Sequence, residues 1–326
     1  MLNMPFGDIY GHDRQKDLLQ AAVAGGRLAH AYLFCGREGI GKQAVAAAFA
    51  AAVLCARKTP DACGACLSCK KVNSGNHPDL IRVRPEGVFI KLQAVRELIG
   101  AMAFRPLEGG RRVFIIDEAD RMHQVAANAL LKTLEEPAAA NILILVTAKP
   151  YLLPRTIVSR CQQLRFNPLR QETVSRFLEE QNGLDPAVAA AIAAGAEGSI
   201  ARALQLRRED YLADREGILQ RLAAAGAGTP LQRLALFRYL GRSKKDLVDK
   251  LGLLQSCFRD ALVWKELEDE GRLVHGDRKE LIRDVARLST EDLLFNMDAV
   301  NASLRALEAN ANKLLTLEAM TFTLRL

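Results

Sequence analysis

At 326 residues the chain is long enough for two or three cores rather than one. Apolar residues make up 49% of it and aromatics 6%, and no apolar run is long enough to span a bilayer, which excludes a transmembrane bundle and points to a helix-rich globular protein. The net charge of +7 comes from basic residues spread along the chain, with only short pairs such as Arg111-Arg112 and Lys244-Lys245; it permits contact with nucleic acid without specifying a DNA-reading stripe.

The N-terminal MLNMPFGDIYG carries no basic flank followed by an apolar core, so a cytoplasmic chain without a secretory signal is expected. HAYLFCG (30–36) then reads as a buried strand and runs into GREGIGKQAV (36–45). There Gly36, Gly41 and Lys42 meet the phosphate-loop pattern G-x-x-x-x-G-K-[ST], but Gln43 stands where Ser or Thr belongs. Backbone N–H groups, the lysine and the dipole of the following helix can still cradle phosphate. A long amide arm is a poor replacement for the short hydroxyl that holds Mg²⁺. The Ala-rich run at 44–56 is short and only weakly hydrophobic, and reads as a buried helix.

Cys55, Cys63, Cys66 and Cys69 follow as C-x₇-C-x₂-C-x₂-C. Two C-x₂-C steps bring thiolates onto one knuckle, and a fourth enters from the end of the preceding helix. Four thiolates suit a closed, structural, tetrahedral Zn²⁺ site, and the polar setting RKTPDACGACLSCKK is unlike a core. Cys35, Cys161 and Cys257 are isolated and expected to pack as small hydrophobes.

DLIRVRP (79–85) reads as a second strand, followed by a helix in 90–102. RRVFIIDEAD (111–120) is a third strand, ending in Asp117 and Glu118 as a Walker B motif does; there the Asp would support magnesium and the Glu polarise the attacking water. A helix over 126–136 is stopped by Pro137, a fourth strand spans 141–150 and a fifth 161–166. Strands alternating with helices at this spacing predict a parallel sheet covered on both faces, whose ligands sit outside the carboxyl ends of the strands. The loop at 36–43, the acidic pair and Thr147 all fall on that edge. After Phe166 the strands cease. Helical stretches open at 167–181 and 195–206, and the rest is helical, broken at AAAGAGTP (223–230) and SKK (243–245).

These pieces in this order resemble the clamp-loader subunits of bacterial DNA polymerase III, an AAA+ family. The residues that carry the resemblance are HAYLFCGREGIGK (30–42), the four-cysteine insert, NHPDL (76–80), VFIIDEAD (113–120), NALLKTLEEP (128–137), LPRTIVSRC (153–161) and GSIARAL (198–204). They cover roughly two-thirds of the chain.

The resemblance implies an α/β AAA+ P-loop domain at 1–167 with the zinc module at 55–69, a small helical lid at 168–208 and an all-helical oligomerisation collar at 209–326. It assigns Gly36, Gly39, Gly41, Lys42 and Gln43 to a degenerate nucleotide pocket that Asp117, Glu118, Thr147 (sensor 1) and Arg202 (sensor 2) complete; ATP or ADP there is left open. Arg160, in SRC, becomes an arginine finger acting in trans on ATP held by a neighbouring motor subunit. As implied partners it names the motor subunits, the delta subunit, the sliding clamp and primer–template DNA, with no membrane. The chain is then a non-motor stator of the polymerase holoenzyme, itself without ATPase or polymerase activity. Two other readings stay open: a motor ATPase, which Lys42, Asp117, Glu118 and Arg202 favour and Gln43 opposes, and a zinc-dependent nucleic-acid-binding protein. The insert lacks the aromatic residues that a single-strand reader stacks on bases, which counts against the latter.

Overall fold

The computed structural model describes residues 5–108, 110–207, 210–225, 235–236, 238–240 and 243–326. It contains two compact units, one made of residues 1–177 with 197–202, the other of 178–196 with 203–326.

In the first unit the described elements run α1 (Asp13–Ala24), β1 (Ala31–Cys35), α2 (Lys42–Leu54), α3 (Leu67–Asn73), β2 (Leu80–Val83), α4 (Leu92–Met102), β3 (Arg112–Ile116), α5 (Gln124–Ala129), α6 (Leu131–Glu135), β4 (Asn141–Thr147), α7 (Arg155–Val158) and β5 (Gln162–Arg165). All five expected strands form one parallel sheet in the order β2-β3-β4-β1-β5. The register is regular, with Ala31 beside Leu143 and Cys35 beside Thr147 between β1 and β4. β1, β3 and β4 are buried throughout, as continuous apolar strands covered on both faces should be.

Alternation along these strands sorts two cores. Tyr32, Phe34, Val113, Ile115, Ile142 and Ile144 face Val45 and Phe49 of α2 and Leu19 of α1. Leu33, Phe114, Ile116, Leu143 and Leu145 face Val95 and Leu98 of α4, and Leu130, Leu134 and Ile157. Alanine dominates α2 because this helix lies close against the sheet, with Ala46, Ala48 and Ala50 wholly buried. The helix expected over 126–136 is instead α5 and α6, parted at Leu130, whose N–H reaches only back to Ala127. It stops at Glu136, which leaves the helical region at φ −120°, ψ 68° just before Pro137.

Beyond the sheet follow α8 (Gln171–Asn182), α9 (Pro186–Gly195), α10 (Ile200–Leu206), α11 (Asp210–Ala225), α12 (Lys244–Leu267), α13 (Lys279–Val285), α14 (Thr290–Glu308) and α15 (Lys313–Thr323). In the second unit α12 packs along α14 and against α13 and α11, burying Leu251, Leu254, Phe258, Leu293 and Val300. Ser243 of the expected break caps α12, accepting the Asp246 N–H. The break at 223–230 lies, from residue 226, outside the described residues. No single described helix is long and apolar enough to cross a membrane.

Candidate functional site

The P-loop leaves the carboxyl end of β1 and closes at the N-terminus of α2. Its three glycines take backbone angles that side chains rarely adopt at two places that matter: Gly39 at φ +74° and Gly41, the cap of α2, at φ +108°. A Cβ at Gly39 would collide with the Ser199 hydroxyl and the Ala201 methyl. Lys42 is buried and folds back on the loop, donating from Nζ to the Gly36 carbonyl at 2.7 Å and the Arg37 carbonyl at 2.5 Å. Burial pulls its ammonium below the usual lysine range, while the carboxylates of Glu38 and Asp120 oppose that shift. Gln43 is exposed.

The acids at the end of β3 are already engaged. Asp117 is fully buried and meets Arg82 Nε of β2 at 2.5 Å and Arg84 Nε at 3.3 Å. Glu118 stands at φ +49° with its carboxylate 2.8 Å from Arg121 Nε. Thr147, at the end of β4, donates from Oγ1 to Asp120 Oδ1 at 2.5 Å, and Asp120 also accepts the Ala148 N–H at 3.3 Å. Both guanidinium groups sit on Asp117 Oδ2, while Oδ1 is buried without a hydrogen-bond partner. A magnesium ion on Asp117 would meet two guanidinium charges beside it, with no hydroxyl at position 43 to complete its shell.

Arg202, which the resemblance assigns to the pocket, has its charge met internally. Glu197 takes Arg202 Nη1 at 3.3 Å and Arg37 Nη2 at 2.6 Å. The same segment hydrogen-bonds the loop's backbone: Ser199 Oγ donates to the Glu38 carbonyl and Ala201 N–H to the Gly39 carbonyl, both at 3.1 Å.

Sequence reasoning missed three members of this constellation: Asp120, Glu197 and His12. His12 Nε2–H donates to the Ile40 carbonyl at 2.7 Å, and its ring meets Phe166 edge-on at 5.0 Å. Burial pulls its pKa down, so it stands here as a neutral donor. The DEAD run could have flagged Asp120; Glu197 and His12 have no local signal, since each acts across a large gap in the chain.

Arg160 sits apart from these groups, just after α7. It donates from Nη1 to the Thr156 carbonyl at 2.9 Å and from Nη2 to Glu135 Oε1 at 2.7 Å, with about a third of its side chain exposed.

The four cysteines do converge: the sulfurs of Cys55, Cys63, Cys66 and Cys69 all lie within 4.8 Å of one another. Zn–S bonds of about 2.3 Å place tetrahedral sulfurs about 3.8 Å apart, and Cys63 Sγ and Cys69 Sγ are 3.9 Å apart. Backbone N–H groups already point at the ligands, from Cys66 to Cys63 Sγ and from Cys69 to Cys66 Sγ, each at 3.4 Å. Burial works against the Cys55 thiolate, yet the N–H groups of Cys63 and Arg57 and the Thr59 hydroxyl outweigh it and bring this thiol down to about 6. Burial and the neighbouring sulfurs of Cys66 and Cys55 push Cys69 up. Four sulfurs at this spacing, with backbone N–H groups aimed at them, suit a tetrahedral thiolate site for a divalent metal. Cys35, Cys161 and Cys257 are buried in cores, away from this cluster.

A family model described as "DNA polymerase III, delta subunit" matches residues 11–170, and one described as "DNA polymerase III, delta subunit, C terminal" matches residues 209–324. DNA polymerase III subunit delta' of Bacillus subtilis is 33% identical over 308 residues, covering 92% of each chain. The delta' subunit of Pseudomonas aeruginosa is 44% identical over 144 residues, 43% of this chain and 44% of that one. DNA polymerase III subunit tau of Escherichia coli is 34% identical over 207 residues, 62% of this chain but 32% of its own length. Matched in both halves, and aligned with a delta' subunit over nearly its whole length, the chain belongs to the DNA polymerase III delta-prime subunit family.

Proposed function

We propose that this chain is a cytoplasmic, non-motor subunit of a bacterial DNA polymerase III clamp loader. Motor subunits that hydrolyse ATP and a delta subunit join it in a ring, and the ring places a sliding clamp on primer–template DNA. One observation carries the non-motor reading: Asp117, the residue a magnesium ion would need, is fully buried against Arg82 and Arg84. Gln43 supports it by offering no hydroxyl. The glycines and Lys42 then preserve a loop that can hold ATP or ADP without turning it over, with Glu118, Thr147 and Arg202 tied to protein partners.

The catalytic contribution of the chain is Arg160. Its side chain is about a third exposed and pairs with one exposed carboxylate, Glu135, which it can exchange for the γ-phosphate of a neighbour. Such an arginine stabilises the charge spread over the equatorial oxygens as the phosphoryl group transfers. Cys55, Cys63, Cys66 and Cys69 hold a structural Zn²⁺. Residues 1–167 form the AAA+ domain, 168–208 the lid and 209–326 the collar through which the subunit joins the ring.

The purified chain tests the non-motor reading. Its ATP turnover should match that of Lys42→Ala; turnover that Lys42→Ala abolishes would return the chain to the motor class.

A further inference from the structure

A chain of buried hydrogen bonds joins the sheet to the cysteine module. His77 and Asp79 of NHPDL are 4% and 0% exposed. The Asp79 N–H donates to His77 Nδ1 at 3.1 Å. That bond fixes the tautomer: Nδ1 accepts, so the proton is on Nε2. Nε2–H therefore donates to Ser68 Oγ at 2.9 Å, and the Ser68 hydroxyl donates onward to the Leu54 carbonyl at 2.5 Å. Every proton in the relay has one direction.

Both ends of the serine's reach matter for the metal ligands. Leu54 ends α2 and precedes Cys55, while Ser68 lies in α3 immediately before Cys69. Those two ligands come from separate elements, and the Ser68 hydroxyl is a direct tie between them. His77 is itself anchored. The Asp79 carboxylate accepts the N–H groups of Leu107 and Glu108, both at 2.8 Å, and pairs with Arg112 at 3.1 Å, so the relay starts from the fixed edge of β2 and β3. Burial also pulls the His77 pKa down, in keeping with a neutral ring.

We propose that His77, acting through the Ser68 hydroxyl, is the positioning residue of the four-cysteine site, holding Cys55 of the P-loop helix in register with Cys69 of the knuckle. It touches no metal. It reduces the ordering that binding must otherwise supply, as groups behind metal ligands do. This rests on the cluster being a Zn²⁺ site.

Two substitutions at one position separate this role from simple filling of a buried site. Glutamine puts an amide N–H where Nε2–H was and keeps the bond to Ser68; asparagine puts an oxygen where Nδ1 was and keeps only the bond from Asp79. Zn²⁺ affinity of the full chain, measured by competition with a chromophoric chelator, should fall about 10–100-fold in Ser68→Ala and His77→Asn and stay within about threefold of the parent in His77→Gln. Parent-like affinity in Ser68→Ala, or equal losses in His77→Gln and His77→Asn, would overturn the proposal. Circular dichroism reports folding of each variant; if His77→Asn does not fold, Ser68→Ala against His77→Gln decides in the same way. A parent chain that takes up no Zn²⁺ would remove the metal reading itself and the proposal with it, a result no contrast among variants can imitate.

Discussion

The P-loop and the cysteine module lie at opposite ends of one helix, and they treat their polar groups in opposite ways. At the N-terminus of α2 the motif is spelled almost in full, yet each group that would serve a nucleotide already has a protein partner: Lys42 its own loop carbonyls, Asp117 two arginines, Glu118 Arg121, Thr147 Asp120, and Arg202 Glu197. Beyond its C-terminus the four sulfurs turn toward one another, with backbone N–H groups aimed at them. The first end keeps the shape of a site and has turned its charged groups onto protein partners, with Asp117 Oδ1 left unpaired. The second keeps its chemistry open for a cation. A motif specifies residue types at a spacing; whether those residues are available is decided by neighbours that arrive from elsewhere in the chain.

The largest effect should come from the open end. Cys66→Ser, or removal of the metal with a chelator, takes away both a ligand set and the folding free energy tied to it, so thermal unfolding should show a loss of at least about 3 kcal/mol. A chain whose melting ignores both treatments would make the cluster a set of free thiols. Next comes the closed end. Arg82→Ala leaves the buried Asp117 carboxylate with Arg84 alone, 3.3 Å away and more exposed, and should cost about 2–3 kcal/mol in denaturant unfolding. No loss would mean that Asp117 is not committed to the pair, and magnesium binding at that carboxylate would be back in play. The smallest effect belongs to Glu197→Gln. Its ion pairs with Arg37 and Arg202 are exposed, so stability should change by less than about 1 kcal/mol. Binding of a fluorescent ATP analogue should tighten, because two guanidinium groups lose their carboxylate; weaker binding would show that Glu197 supports the pocket rather than shielding it.

Much of the frame was legible in the residues. The apolar runs at 31–35, 112–116 and 141–147 could only be central parallel strands, and the turns between them fixed which strand ends carry the loop and the acids. The cysteine spacing was equally direct, since two short loops bring three sulfurs together whatever the rest does. Other features lay beyond a linear reading. The parting of α5 from α6 depends on how Leu130 and Leu134 seat on the sheet, and no Gly or Pro marks it. Arg82 reads as one more polar residue on a strand; only the pairing of β2 with β3 sets it beside the end of VFII and so against Asp117. Glu197, His12 and the His77–Ser68 relay likewise join segments far apart in sequence, where periodicity is silent. NHPDL was recognisable as a motif before anything in the sequence said what its histidine does.

The central claim is that catalysis by this subunit leaves through Arg160 rather than entering through Lys42. The direct measurement is ATP hydrolysis by a loader reconstituted with Arg160→Ala, in the presence of clamp and primed DNA. Hydrolysis at the adjoining motor site should fall by about a thousandfold while the ring still assembles; an unchanged rate in an assembled ring would contradict the account.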